Sequence, residues 1–277
     1  MSDVDPESGP VIEGAAAEPQ TERLVETAHA GPVAVLTMVY RPHNLLGPKL
    51  TGAIVDAVRG AVASGSRAIV LRSGLRNFCA GADVTQFSRS AQEQEPSTMG
   101  AVAFLEFMET LPIPVVASVH GVCLGGGFEL ALLADYVIAA ASAKIGSVEI
   151  ALGLHPLMGG VQRQVQRAGM LRAKELSMLG RRYDAATLER WNLINLVVED
   201  EALDAATMTV AQELANGPTV AHAATKRLAW IAANEGVLAA DQAMQELQKP
   251  IWASDDLKAG LRSFRKNGPG LAMFEGR

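Results

Sequence analysis

Two glutamates twenty positions apart, each beside glycine, are where this chain has the means to do chemistry. Glu129 stands in Leu124-Gly125-Gly126-Gly127-Phe128-Glu129-Leu130, and Glu149 in Ile145-Gly146-Ser147-Val148-Glu149-Ile150. Both acids lie in strongly apolar sequence, where an ionised carboxylate is unstable unless a neighbour supports it. Paired carboxyls in such a setting suit general acid–base work, one accepting a proton and the other delivering one. Taken alone, Glu129 equally fits a helix N-terminal carboxylate that satisfies free N–H groups.

Backbone groups add to the pair. Gly125-Gly126-Gly127 follows an apolar run and precedes Phe128-Glu129-Leu130-Ala131-Leu132-Leu133. That order puts unsatisfied N–H groups at a helix N-terminus, which favours negative charge and lets a ligand approach the backbone closely. No Gly-Lys-Ser/Thr follows, and the glycine spacing is not the dinucleotide fingerprint. A tight strand-to-helix turn with close packing accounts for these glycines equally well. The turn Phe78-Cys79-Ala80-Gly81-Ala82-Asp83 offers a second donor, the Ala82 N–H. Two N–H groups converging on one oxygen make an oxyanion hole, and losing one donor costs about 10²–10³ in rate.

The rest of the chain must position these groups. Its 277 residues suit one hydrophobic core, with or without a smaller appendage. Apolar residues make up 49% and aromatics only 5%, so Ala, Val, Leu and Ile fill the interior, as in helices packed on strands. A net charge of −6 argues against general nucleic-acid binding. Cys79 and Cys123 fit neither a disulfide framework nor CxxC spacing and read as small buried residues. The five histidines show no metal-ligand spacing, so no metal is expected. His155, the one nearest the second glutamate, reads as a packing residue. Arg41, Lys49, Arg262, Arg265 and Lys266 read equally as surface charge or as partners for ligand phosphates.

No apolar run is long enough to cross a bilayer, so membrane insertion is not expected. The N-terminus has neither a signal peptide's apolar stretch nor a basic presequence, which points to a cytoplasmic protein. Residues 1–21 are acidic and rich in Pro, Gly and Ala and read as a disordered tail. Strands are expected at 33–38, 68–71, 114–119 and 136–139, and helices at 48–64, about 100–110 and from the triple glycine onward. The polar stretch 86–100 reads as a loop flanking a site. Beyond 160 the pattern is helical almost throughout, at 161–168, 171–179, 185–190, 202–215, 219–232, 237–249 and 255–264.

In this order the motifs resemble the enoyl-CoA hydratase/isomerase, or crotonase, superfamily. The resemblance is carried by Phe78 to Asp83, Ile113-Pro114-Val115-Val116-Ala117-Ser118-Val119-His120-Gly121 and Leu124 to Ala131. It continues through Asp135, Ile145-Gly146, Glu149-Ile150, Leu152-Gly153-Leu154 and Gly159-Gly160-Val161-Gln162-Arg163, from about residue 30 to the C-terminus. It implies an α/β crotonase-like spiral of repeated β-β-α units over 22–205. A C-terminal helical trimerisation and lid segment follows at 206–277, in a homo-trimer or a hexamer of paired trimers.

The resemblance also assigns roles. Ala82 and Gly126 become the oxyanion N–H groups for the thioester carbonyl of an acyl-CoA, and Glu129 and Glu149 the two hydratase carboxyls. Ala80, Ala82, Asp83, Val84, Gly126 and Leu157 become substrate-binding residues, with coenzyme A part of the substrate and no separate cofactor. Family members that isomerise, dehalogenate or decarboxylate generally lack one or both glutamates, so the implied reaction is hydration of a 2-trans-enoyl-CoA in fatty-acid metabolism. A double-bond isomerase and a non-catalytic acyl-CoA binder are the alternatives. One departure stands out. The family usually has Pro-Gly-x-Gly-Gly after the second glutamate, and this chain has Pro156-Leu157-Met158-Gly159-Gly160. In family hydratases the N–H at the Leu157 position helps hold the water, and a positive φ there would strain leucine.

Overall fold

The computed structural model describes residues 23–85 and 99–277. The expected N-terminal tail and most of the expected 86–100 loop lie outside the described residues. Within them, a six-stranded sheet runs in the order β1 (Val25–Ala30), β2 (Val33–Met38), β3 (Ala68–Ser73), β4 (Val115–Val119), β6 (Tyr136–Ala140), β9 (Leu196–Val198). A smaller sheet joins β5 (Val122–Leu124), β7 (Lys144–Gly146) and β8 (Tyr183–Asp184). β1 and β2 form an antiparallel hairpin, and every later pairing in the large sheet is parallel. The chain therefore passes from large sheet to small sheet and back through a helix, as the resemblance implies for a spiral of β-β-α units.

Strict alternation explains why the central strands read as unbroken apolar runs. In β2, Ala34, Leu36 and Met38 face one core while Val33 and Val35 face another. β3 divides in the same way, with Ile69 and Leu71 opposite Ala68 and Val70. A parallel sheet covered on both faces has no solvent side on which polar residues would alternate. The larger core is closed by α1 (Pro48–Ala63), which buries Leu50, Ile54 and Val58, and by α2 (Met99–Glu109) with Phe104 and Met108. Phe128 and Leu130 of α3 (Gly126–Leu132) complete it.

The other face is covered by α6 (Leu203–Asn216), which buries Leu203, Ala211 and Ala215; its Thr207 hydroxyl bonds Ser118 of β4 at 3.1 Å. The expected 205/206 division falls inside this helix. Before it come α4 (Gly160–Leu179) and α5 (Ala185–Arg190). After it come α7 (Thr219–Asn234), α8 (Val237–Ala253) and α9 (Asp255–Asn267). α4 spans both helices expected at 161–168 and 171–179, with a backbone break at Gly169 (φ 79°, ψ 164°) between them. The region beyond 160 is not purely helical, because β8 and β9 lie in it. These strands have two and three residues and are extended because β7 and β6 offer them free edges.

Candidate active site

The triple glycine turns the chain out of β5 into α3. Gly125 takes φ 52° as N-cap, and its N–H donates to Gly146 O at 2.9 Å, which ties the turn to the end of β7. Gly126, first residue of the helix, keeps an N–H that the helix itself leaves unpaired. A Cβ on Gly126 would stand 3.6 Å from the Ala82 nitrogen, so these two backbone donors are neighbours. The 78–83 turn is fixed by the Cys79 N–H donating to Val122 O and the Leu124 N–H to Cys79 O, and by an Asp83 N–H to Leu46 O bond of 2.7 Å. Gly127 serves packing: a Cβ there would meet Cys79 O at 2.6 Å.

Glu129 lies one turn into α3 and is 2% exposed. Its Oε1 accepts two backbone hydrogen bonds, from Met158 N at 2.7 Å and Gly160 N at 2.8 Å. Burial, reinforced by the Glu149 carboxyl, raises its pKa to about 7, and the two N–H donors and Arg163 oppose the rise. Glu149 begins a single 3₁₀ turn, Glu149–Leu152, directly after β7. Both of its carboxyl oxygens are buried, and among the described residues neither has a hydrogen-bond partner. Burial raises its pKa as well, against its own backbone N–H and His155.

Both glutamates line one cavity of about 720 Å³. Its apolar wall comes from Leu46, Val55, Phe104, Phe107, Leu152, Leu154 and Leu157. Such a volume with two convergent carboxyls and perturbed pKa values is the usual form of a small-molecule active site. A family model described as Enoyl-CoA hydratase/isomerase matches residues 28–270. The chain belongs to that family.

Two curated relatives illustrate the likeness within the enoyl-CoA hydratase/isomerase family. The mitochondrial methylglutaconyl-CoA hydratase of Homo sapiens is 34% identical over 228 residues, 80% of this chain and 66% of that protein. The crotonyl-CoA hydratase of Syntrophomonas wolfei is 35% identical over 202 residues, 71% of this chain and 76% of that protein. Among solved structures, an enoyl-CoA hydratase subunit from Geobacillus kaustophilus superposes with a TM-score of 0.83 at 29% identity, covering 92% of this chain and 98% of that one.

Ala80, Ala82, Asp83, Val84, Gly126, Glu129, Glu149 and Leu157 all line the cavity, so the residues implied by the family resemblance are brought together. The strain that a positive φ would bring at Leu157 does not arise. Its φ is not positive, since among the described residues only Asn44 and Asn192 are non-glycine residues with positive φ. The left-handed turn falls on Gly159 (φ 77°), and the N–H groups on Glu129 come from Met158 and Gly160. Leu157 contributes an apolar wall. The residue-by-residue reading missed these two donors because any residue supplies an N–H and its direction is set by the turn. His155 makes a local bond, its Nδ1 2.7 Å from Pro156 O. Arg41, Lys49, Arg262, Arg265 and Lys266 do not line the cavity, whereas Arg59 and Arg182 do. Cys79 and Cys123 are buried free thiols, and burial pushes Cys79 up to about 12.

Proposed function

We propose that this protein is an enoyl-CoA hydratase that converts a 2-trans-enoyl-CoA of fatty-acid metabolism into the 3-hydroxyacyl-CoA. The observation that carries the reading is the pair of buried carboxyls on one cavity, one oriented by two N–H donors and the other with no hydrogen-bond partner among the described residues. The Ala82 and Gly126 N–H groups hold the thioester oxygen as it gains charge. Glu129, ionised, takes a proton from water while the water oxygen bonds C3. Glu149, protonated, delivers a proton to C2. The new 3-hydroxyacyl-CoA leaves Glu129 protonated and Glu149 ionised, and one proton transfer between them restores the start. Because the carboxyls interact, they titrate as a pair.

Coenzyme A enters as part of the substrate. The surrounding assembly in this reading is a homo-trimer, or a hexamer of two trimers, in the cytoplasm. Val237, Leu238, Met244, Trp252, Leu261 and Phe264 on α8 and α9 are exposed apolar side chains of the kind that interfaces cover. Among the described residues no helix is long and apolar enough to cross a membrane.

The test is turnover of crotonyl-CoA and of a long-chain 2-trans-enoyl-CoA, followed by loss of the conjugated thioester absorbance. Hydration that is abolished in Glu149→Gln supports the reading. Silence on both substrates with conversion of a 3-enoyl-CoA would make the protein an isomerase. Binding without any turnover would make it an acyl-CoA carrier.

A further inference from the structure

We propose that Arg163, held by Glu109, is a positioning residue that locks the 158–160 turn and thereby aims the Glu129 carboxylate, a role that rests on the hydratase reading. Arg163 lies on the first turn of α4, where Nη1 donates to the Gly159 carbonyl at 3.0 Å. Nη2 is paired with Glu109 Oε1 at the end of α2. The second Glu109 oxygen accepts from Trp230 Nε1 of α7 at 3.2 Å. Three helices thus fix one guanidinium, with side-chain exposures of 11% for Arg163 and 29% for Glu109.

The held group is small and its consequence direct. Gly159 sits between the two residues whose N–H groups meet Glu129 Oε1, so a shift of its peptide moves both donors together. A Cβ at Gly159 would lie 2.1 Å from Arg163 Nη1, so the guanidinium occupies space that only glycine leaves. The planar fork can bond a carbonyl and a carboxylate at once, which a lysine ammonium does with less directional control. The charge acts in the same sense as the geometry. Glu129 is faced by the Glu149 carboxyl from the 3₁₀ turn and by Arg163 from α4, while His155 bears on Glu149. Arg163 is the cation that favours ionised Glu129, the form a base requires.

The experiment follows the Glu129 carboxyl directly, by ¹³C titration of glutamate-labelled protein assigned with Glu129→Gln, alongside kcat and KM for crotonyl-CoA across pH. Arg163→Met is expected to move the Glu129 midpoint above its starting value of about 7. It should also lower kcat about 10–100-fold with little change in KM, the effect of a misaimed catalytic group. Arg163→Lys should hold the midpoint near the wild-type value yet leave kcat reduced. A folded Arg163→Met with unchanged midpoint and unchanged kcat would overturn the proposal. If Arg163→Met does not fold, Arg163→Lys and Glu109→Gln decide: lower kcat at constant KM supports the role, and wild-type kcat in both overturns it. Failure of the wild type to hydrate any enoyl-CoA would defeat the hydratase reading alone, because a raised midpoint in Arg163→Met would still show Arg163 controlling Glu129.

Discussion

Glu129 and Glu149 open on the same cavity and are held in opposite ways. Glu129 stands on α3, almost fully buried, with Oε1 bonded by Met158 and Gly160. Glu149 starts a single 3₁₀ turn, and both its oxygens lack a hydrogen-bond partner among the described residues. At Glu129 two N–H donors and Arg163 oppose the rise that burial and the Glu149 carboxyl cause, and at Glu149 its own N–H and His155 oppose the rise that burial causes. In the proposed hydration these two residues of identical chemistry take different jobs, Glu129 accepting a proton and Glu149 giving one. The difference in their hydrogen bonding comes from the Met158 and Gly160 backbone N–H groups.

The largest expected effects test that division directly. Glu129→Gln and Glu149→Gln should each lower hydration kcat by about 10²–10⁴. If the two act as a unit, the double variant should be little slower than the worse single one, measured with crotonyl-CoA. Full additivity would break the picture of one coupled pair.

Two adjacent glycines sharpen the contrast between chemistry and packing. Gly126→Ala meets only ordinary contacts at 3.6–3.8 Å, so the fold should survive while the methyl crowds the oxyanion position. A loss near that of one oxyanion donor, about 10²–10³ in kcat, is expected. Gly127→Ala would press on Cys79 O at 2.6 Å, so it should lower the melting temperature, by about 1–3 kcal/mol of stability.

The pH dependence has a definite sign. Glu129 rises from an ordinary 4.5 to about 7, so the folded chain binds this proton more tightly than the unfolded chain. Its contribution to stability is therefore present at low pH and lost as pH rises through that window. Glu129→Gln, which stays neutral, should be more stable than wild type at pH 8 by on the order of 3 kcal/mol and show no such gain at pH 4 in thermal melts. In the wild type kcat/KM should rise with pH through about 7 as the base ionises. A flat profile across that range would remove Glu129 from the base role.

The smallest effect is expected at Leu157. With no positive φ to relieve there, Leu157→Gly should leave crotonyl-CoA kcat near the wild-type value. It should cost about 0.5–1 kcal/mol through a freer unfolded chain, and a urea titration would measure it.

Much of the large sheet was legible because β2, β3 and β4 are buried on both faces and show as apolar runs between glycine or proline punctuation. β1 was not, since Val25–Ala30 is a mostly exposed edge strand that, among the described residues, pairs only with β2. β8 and β9 were read through as helical surroundings because two or three residues carry no period of their own. At the site, the two glutamates and the glycine turns were visible as residue types in an unusual setting. The Met158 and Gly160 donors, the Arg163–Glu109 pair and the Phe104–Phe107 wall were not, because they meet the site only across long chain separations.

From the amino-acid sequence alone came the family resemblance, the central parallel strands, the glycine-opened helix and the two carboxyls of the site. These follow from local rules: burial sets the apolar runs, and glycine marks turns that other residues resist. The tertiary structure alone decided which oxygen of Glu129 is bonded and by which N–H groups, that the Glu149 oxygens find no hydrogen-bond partner among the described residues, and that Leu157 is an unstrained wall. Those outcomes depend on the direction of backbone groups some thirty positions from Glu129 in sequence, and direction exists only once the spiral has closed.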